Sequence, residues 1–477
     1  MRPSDTSKQQ GVAWSWIAVG LLLVILHAAL FWISFEFQYG RPVLERPVYT
    51  MVGLLVAAGV AYLFAVFWLE RPAVPNWKWW LWVGGIGLAM RALMLPSMPM
   101  LETDFYRYLW DGALTANGHN PFQYVPEDVM QDDAPDDIVT LAAESGDVLN
   151  RVNHPRLRTI YPPVAQGAFA AAYAVLPWRI EGLRVVWFVF DAAALALLAL
   201  LLKRVGAPVS LLVIYWWNPL LIKEAYNSAH MEILLFPFVL GALSLAIRGR
   251  PLGSAASLGM AVGTKLWPVL LLPLLAWNLA RRQWRTLVLI GGVFGFIVLL
   301  MAVPVIRSGL DPTSGFRAYA SYWRMNDSIY QVFHAATSWT MPGYPHGPAR
   351  FISGALLVSW IIWLCRAPAQ TPRILCERAL WIIAALFLLS PTQFPWYWTW
   401  MLPLLAIRPS PGLLILTATL PLYYLRFPMR ELGYTAWFDH GVVWLEFGPA
   451  LVLLMWEAWR THKETSPKIP DRERGVA

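Results

Sequence analysis

Four residues share a spacing that suits chemistry. Asp104, Arg107, Tyr108 and Asp111 stand at i, i+3, i+4 and i+7 in the stretch Thr103–Gly118. Thr103 is a fitting N-cap, and Gly118 a fitting stop ahead of Asn120-Pro121. A helix between them puts the four side chains on one face. Two carboxylates beside a guanidinium and a phenol can take a proton from a hydroxyl and hold an anion. The spacing alone also fits a surface helix with an ordinary Asp–Arg pair. In either case Phe105, Leu109 and Trp110 fall on the flank, placed to rest on a bilayer surface.

The surroundings favour chemistry. Residues 96–163 hold eleven of the 29 Asp and Glu residues, against four arginines, Arg107, Arg151, Arg156 and Arg158. Asn153-His154-Pro155 leads through Arg156 and Arg158 to Ile160-Tyr161-Pro162-Pro163. Two consecutive prolines fix φ twice and remove two donors, so this exit is stiff. The acidic run from Pro126 to Asp137 lacks the glycine and spacing of a calcium loop and reads as solvated. Farther on, Asn218-Pro219, Lys223-Glu224, Asn227, His230 and Glu232 cluster around one turn. Lys265 interrupts the apolar run Gly259–Leu275. Ionisable groups at membrane depth point to function, although snorkelling offers Lys223 and Lys265 a plainer role. The segment 307–350 interleaves Arg307, Arg317, Tyr319, Tyr322, Trp323, Arg324, Asp327, His334 and His346, a mixture suited to sugar stacking and phosphate contact.

These groups sit in a chain made for lipid. It is 58% hydrophobic and only 14% charged, with 28 tryptophans and a mean hydropathy of +0.49. Soluble chains carry about 25% charge. The composition predicts an all-α polytopic membrane protein of about 12–14 spans of roughly 20 residues, with aromatic belts at the interfaces. The formal charge of +8 belongs to cytoplasmic loops under the positive-inside rule and does not indicate nucleic-acid binding. Cys365 and Cys376 suggest neither a disulfide framework nor a metal site. The run 12–35 reads as a retained first span.

Basic clusters at Arg2/Lys8, Arg71/Lys78, Lys203/Arg204, Arg248/Arg250, Arg281/Arg282/Arg285, Arg366/Arg373/Arg378, Arg408 and beyond Arg460 set the topology. Placing all of them in the cytoplasm requires one of the two apolar segments 164–177 and 185–202 to re-enter or lie in the interface, and 164–177 is the choice because it is short and begins after Tyr161-Pro162-Pro163. The stretch 251–280 must then turn near Thr264-Lys265 or not cross at all. Non-helical backbone at membrane depth is tolerated where it lines a protein cavity. One integral membrane domain over 1–477 is expected. It has an extracytoplasmic catalytic loop at 96–163, a second external loop at 307–350, further external turns near 223–231, 392–396 and 426–439, and a cytoplasmic tail at 460–477. Both termini are expected in the cytoplasm of a plasma (inner) membrane.

The chemistry that fits is transfer from a lipid. External cations can hold a phosphate leaving group, and the bilayer delivers a lipid that carries one. No Gly-rich phosphate loop or dinucleotide fingerprint is present. A polyprenyl-phosphate sugar as donor, a glycolipid or glycan as acceptor and membrane lipids as surroundings are the expected partners. No cofactor is expected, and a divalent metal has no support.

Thr103-Asp104-Phe105-Tyr106-Arg107-Tyr108-Leu109-Trp110-Asp111-Gly112, followed by Gly118-His119-Asn120-Pro121-Phe122, resembles the first large loop of the GT-C superfamily of multi-spanning glycosyltransferases. It is most similar to bacterial mannosyltransferases related to family 87 and to the GPI mannosyltransferases. Ile160-Tyr161-Pro162-Pro163-Val164-Ala165-Gln166 resembles their loop exit. Asn218-Pro219 with Asn227, His230 and Glu232, Thr264-Lys265-Leu266-Trp267-Pro268, and Phe394-Pro395-Trp396-Tyr397 are similar to later family features. The resemblance covers roughly 100–400. It implies that Asp104 deprotonates the acceptor hydroxyl, which displaces polyprenyl phosphate with inversion, and that mannose is the sugar. Many relatives carry an acidic pair here spaced by one residue. This chain has Tyr106 at the second position, with Asp111 the nearest substitute, and its loop follows a third span rather than the first. Arg107, Tyr108, His154, Arg158, Tyr161, Asn227, His230, Lys265 and Arg324 are expected to contact sugar or phosphate.

A transporter or flippase of lipid-linked saccharides is the alternative. Such proteins show related halves, and this chain shows none. A polymerase or ligase of O-antigen type would centre its arginines and histidine in a late loop.

Overall fold

The computed structural model describes residues 4–72, 75–131, 133–280, 283–341, 343 and 346–465. Arg2, Arg281, Arg282 and the part of the expected 460–477 tail from 466 onward lie outside the described residues. Within them the chain is helical, and no strand occurs beyond one isolated bridge between Met325 and Thr392. Among the described residues seven helices are long and apolar enough to cross a membrane, or eight if the bent pair Pro219–Asn227 and Met231–Ile247 counts as one span. The other expected segments are helical too, but fall short in length or hydropathy. Proline explains several of the interruptions. Pro219, Pro268, Pro395 and Pro403 stand at or near the first turn of short helical pieces, where a missing N–H does least harm.

The elements that position the site run as follows. Helices α1 (Ser4–Ser34), α2 (Val48–Phe67) and α3 (Trp77–Met94) pack together and lead into the irregular segment 95–103. Then come α4 (Asp104–Ala116), α5 (Pro126–Met130), α6 (Asp136–Glu144), α7 (Pro163–Val175) and α8 (Ile180–Arg204). After a broken stretch the chain forms α9 (Phe236–Ile247), α10 (Pro251–Thr264), α11 (Leu272–Ala280) and α12 (Trp284–Ser308). Helices α13 (Gly315–Tyr322), α14 (Ile329–Thr340), α15 (His346–Cys365) and α16 (Pro372–Leu389) follow, and later α17 (Arg426–Glu431) and α18 (Val443–Thr465).

Local signals account for α4. It starts one residue after Thr103, although Thr103 makes no side-chain cap bond. It ends in a Schellman turn: Gly118 takes φ +83°, its N–H donates to Thr115, and the His119 N–H donates to Leu114. Glycine meets that left-handed conformation without a Cβ penalty. The surface-helix reading fails here. Phe105, Leu109 and Trp110 do not lie on a bilayer, because all three are buried, with Trp110 fully so. Their opposite face is buried as well, and α4 packs tightly along α7. A helix buried on both faces must bury its charges, and Arg107 and Asp111 are accordingly inside.

Helices α7 and α10 are both short. Helix α7 has only 13 residues. Helix α10 stops at Thr264, and Lys265 is extended at φ −155° before a 3-10 turn over Trp267–Leu271. The turn near 223–231 is fully buried within the protein, and Lys223–Asn227 forms one π-helical turn. Such turns interrupt helices frequently at functional sites.

The α4–α7 seam leaves no room for a methyl group. A Cβ on Gly112 would stand 2.5 Å from the Phe169 carbonyl oxygen. Backbone against backbone cannot be relieved by a rotamer change. Gly112→Ala is therefore expected to destabilise the protein by about 1–3 kcal/mol, seen as a lower midpoint of thermal unfolding in detergent. An unchanged midpoint would contradict this packing.

Candidate active site

Asp104 is the first residue of α4, at the helix N-terminus, where negative charge is favoured. The preceding Leu101 holds φ +68°, an unusual conformation for a branched residue. Asn153 Nδ2 donates to Asp104 Oδ1 at 2.6 Å, and His230 Nδ1 lies 3.9 Å from Oδ2. The Asp104 side chain keeps 26% of its surface exposed. Burial nevertheless raises its pKa above the ordinary aspartate value, while the Asn153 hydrogen bond pulls the other way. Neighbouring Glu102 is raised well above the usual carboxylate range by burial, with Glu224 and Asp104 adding to it.

A polar junction pins this segment. Asn227 Oδ1 accepts from the Met100 N–H at 3.0 Å, and Asn227 Nδ2 donates to Ser97 Oγ at 2.8 Å and to the Met98 carbonyl at 2.7 Å. Arg184 of α8 donates to the Leu95 carbonyl at 2.6 Å and to the Asn227 carbonyl. Trp187 donates to the Ala229 carbonyl at 3.0 Å, where φ is +56°. Residues 95–100 and 227–229 are thus held as one piece.

A second wall comes from α10 and the segment after α16. Lys265 Nζ bonds Glu232 and lies 4.1 Å from the Tyr397 ring centroid and 4.9 Å from that of Trp400. Tyr397 stacks on Trp400, and Trp400 on Trp267, at 4.4 and 5.3 Å. The Tyr319 hydroxyl donates to that of Tyr397 at 3.2 Å.

These walls enclose a cavity of about 730 Å³. Asp104, Arg107, Tyr108, His154, Arg158, Tyr161 and Lys265 line it, joined by Glu102, Asn153, Glu232 and the aromatic wall. Not all are free for a ligand. Arg107 Nη2 donates to the carbonyls of Asn153 and His154, both at 3.1 Å. Arg158 holds the turn after α12 through Ser308, Gly309 and Asp311. His154, at φ +51°, packs its ring 4.7 Å from Trp323.

Four expected residues do not line the cavity. Asp111 is buried and accepts from Gln166 Nε2 at 3.2 Å. Asn227 spends its amide on the junction. His230 stacks at 3.9 Å on Trp396, with Nε2 3.6 Å from Glu224 and 3.7 Å from Glu102, behind the cavity wall. Arg324 pairs with Asp327 at 3.0 Å and contacts His334 Nδ1 at 3.1 Å. In each case a protein group satisfies or covers the polar atoms that a ligand would need.

Arg426 and Arg430, one turn apart on α17, also line the cavity, and among the described residues neither guanidinium makes a hydrogen bond or ion pair. The sequence reading passed over them. The available signal was two arginines at helical spacing in a turn expected outside, against the charge rule. Among the described residues no group of three or more His, Cys, Asp or Glu side chains has the arrangement of a metal centre.

The family model of glycosyltransferase family 87 matches residues 159–391. Over this stretch the chain is similar to glycosyltransferase family 87. The protein is a membrane glycosyltransferase. The match in this glycosyltransferase takes in Tyr161, Asn227, His230, Glu232, Lys265 and Arg324, and starts after α4. No curated protein and no solved structure matches the chain.

Burial raises the Asp111 carboxyl from 3.8 to about 6, with Arg107 opposing. Over that window the folded glycosyltransferase binds a proton that the unfolded chain does not. The contribution of Asp111 to stability is therefore greatest near pH 4 and falls as pH rises to 6. Unfolding free energies of wild type and Asp111→Asn should diverge by about 1–3 kcal/mol across this range, wild type losing the more. Parallel pH profiles would contradict the burial of this carboxyl.

Proposed function

We propose that this glycosyltransferase moves a hexose, with mannose the first to test, from a polyprenyl-phosphate sugar to a hydroxyl of a glycolipid or glycan. The observation that carries the reading is one cavity holding a partly open carboxylate, Asp104, together with an aromatic wall and the cations Lys265, Arg426 and Arg430.

Asp104 takes the proton of the acceptor hydroxyl. The acceptor oxygen then bonds to the anomeric carbon as the bond from that carbon to the phosphate oxygen breaks. The electron pair leaves with polyprenyl phosphate, and the configuration inverts. Lys265, Arg426 and Arg430 hold the phosphate, Arg as a fork and Lys as a point charge. A carboxyl raised by burial is a stronger base than an ordinary aspartate, which suits proton abstraction nearer neutral pH. Tyr397, Trp400 and Tyr319 offer the sugar rings to pack on. Arg107, Arg158 and Asn153 position the loop and Asp104.

Charge polarity supports an extracytoplasmic cavity. Helices α10 and α16 run from basic connections, at Arg250 and Arg373, to residues that line the cavity. Helix α12 runs from Arg285 to the turn that Arg158 holds, and α8 runs from Arg184 at the junction to Lys203-Arg204. Under the positive-inside rule the basic ends are cytoplasmic. Both termini are placed there too, in a plasma (inner) membrane.

Transfer of radiolabelled sugar from polyprenyl-phosphate mannose, and from other hexose donors, to a panel of glycolipid and glycan acceptors tests the reading. Asp104→Asn should remain folded and lose roughly 10²–10⁴-fold in rate. Full activity in the variant would remove Asp104 as the base. Silence of wild type with every donor would defeat the lipid-donor reading.

A further inference from the structure

Helix α17 and the turn that leads from α1 to α2 both fall outside residues 159–391, and the two pack together. Helix α17 has six residues and carries Arg426 and Arg430 into the cavity. Isolated helices shorter than about 12 residues are marginal in water, so the position of α17 must come from packing. Leaving aside its own neighbours in sequence, the described element it packs against most is the 3-10 turn Val43–Glu45. Val43 on the turn and Phe427 and Met429 on α17 are half-buried apolar residues.

The turn is stiff. Pro42 and Pro47 fix φ on either side of it. Arg46 Nε donates to the Arg41 carbonyl at 2.9 Å, and Arg41 donates to the Glu36 carbonyl at 3.3 Å and pairs with the Glu36 carboxylate. Its other end reaches the opposite bank of the cavity. Phe37 is a buried anchor. Ser34 Oγ accepts from the Met98 N–H at 3.1 Å, in the segment that leads to Asp104. The Tyr39 ring meets the Tyr106 ring edge-on at 5.8 Å. Arg151 lies over the Tyr39 ring at 4.5 Å and donates to the Tyr106 hydroxyl at 3.1 Å. Tyr106 directly precedes Arg107, and Arg151 stands two residues before Asn153, which bonds Asp104. Residues 34–47 therefore join the bank that holds Asp104 to the bank that holds Arg426 and Arg430.

We propose that this strap, residues 34–47, is a positioning element that sets the distance between Asp104 and the two arginines of α17, and through them the place of the donor phosphate. The inference rests on the phosphate-binding role given to Arg426 and Arg430 above. Among the described residues none of 34–47 lines the cavity, so the strap acts through α17 and not on the substrate. Its test has an arm that needs no sugar transfer. Spin labels at Leu44→Cys and Leu432→Cys, both exposed positions, are introduced into the full-length chain with Cys365 and Cys376 replaced by alanine. In liposomes this protein should give one narrow label-to-label distance. Adding Val43→Asp, which puts a charge on the turn that meets α17, should broaden it. A broad distribution before that substitution, or a narrow one after it, would overturn the assignment.

Kinetics give the second arm. A misplacement of about 1 Å can cost on the order of 10²-fold in rate. Val43→Asp should raise KM for polyprenyl-phosphate mannose about tenfold to a hundredfold, with KM for the acceptor and the thermal midpoint unchanged. A lower midpoint with both KM values unchanged would make the strap merely structural and overturn the inference. Arg46→Ala, which removes the brace inside the strap, serves if Val43→Asp fails to fold. The pair Arg426→Ala and Arg430→Ala separates this inference from the reading it rests on. If the pair raises KM for the donor and Val43→Asp does not, the phosphate reading stands and the strap has no part in positioning. If the pair leaves KM for the donor unchanged, the phosphate reading falls and takes this inference with it.

Discussion

The position of Asp104 depends on one polar junction, where Asn227 and Arg184 tie the segment before α4 to the buried turn 227–230. Without it, residues 95–103 would have no regular structure to hold their backbone groups. Buried backbone donors and acceptors must find partners, and here a single asparagine side chain satisfies two of them and bonds the Ser97 hydroxyl as well. Left-handed backbone at Leu101, His154 and Ala229 surrounds the same place. Strain of this kind persists only where the surroundings over-determine it. In this protein the surroundings are the packed α4–α7 seam on one side and α8 on the other.

Deeper in the bundle, buried charges are handled in the same way. Arg91 pairs with Asp191 at 2.6 Å, and the hydroxyls of Tyr215 and Tyr226 donate to the two Asp191 oxygens, each at 2.6 Å. Arg91 also donates to the Trp216 carbonyl at 2.7 Å. Lys223, Glu224 and Tyr424 form a second closed set. Charges that are paired and bonded like these lock helices together. The cavity differs because part of its charge is left open. Among the described residues the Arg426 and Arg430 guanidinium groups meet no acceptor, and Asp104 keeps a quarter of its side chain exposed. That contrast is the ground for proposing Asp104, Arg426 and Arg430 as the residues that meet a ligand.

Local features were legible in the sequence. The bounds of α4, its glycine stop and the shared face of Asp104 and Arg107 follow from end signals and spacing within a few residues, and the break at Lys265 from a lysine set in an apolar run together with the charge pattern. What was not legible depends on partners far along the chain. The flank of α4 looks ready for a bilayer until α7 covers it. Asn227 and His230 look like ligands until the segment from Ser97 to Met100 and the ring of Trp396 occupy them. Arg324 has its acceptor three residues away at Asp327, a pairing the interleaved aromatic pattern of that loop concealed. Arg426 and Arg430 went unnoticed because two arginines on a short helix say nothing until a cavity is seen to end on them.

One carboxylate acting as a base on the acceptor, with no covalent sugar–enzyme intermediate, requires a single displacement. The anomeric configuration of the product, read by NMR against that of the lipid-phosphate donor, tests this most directly. Inversion is the predicted result. Retention would mean that a side chain attacks the sugar first, and would contradict the role given to Asp104.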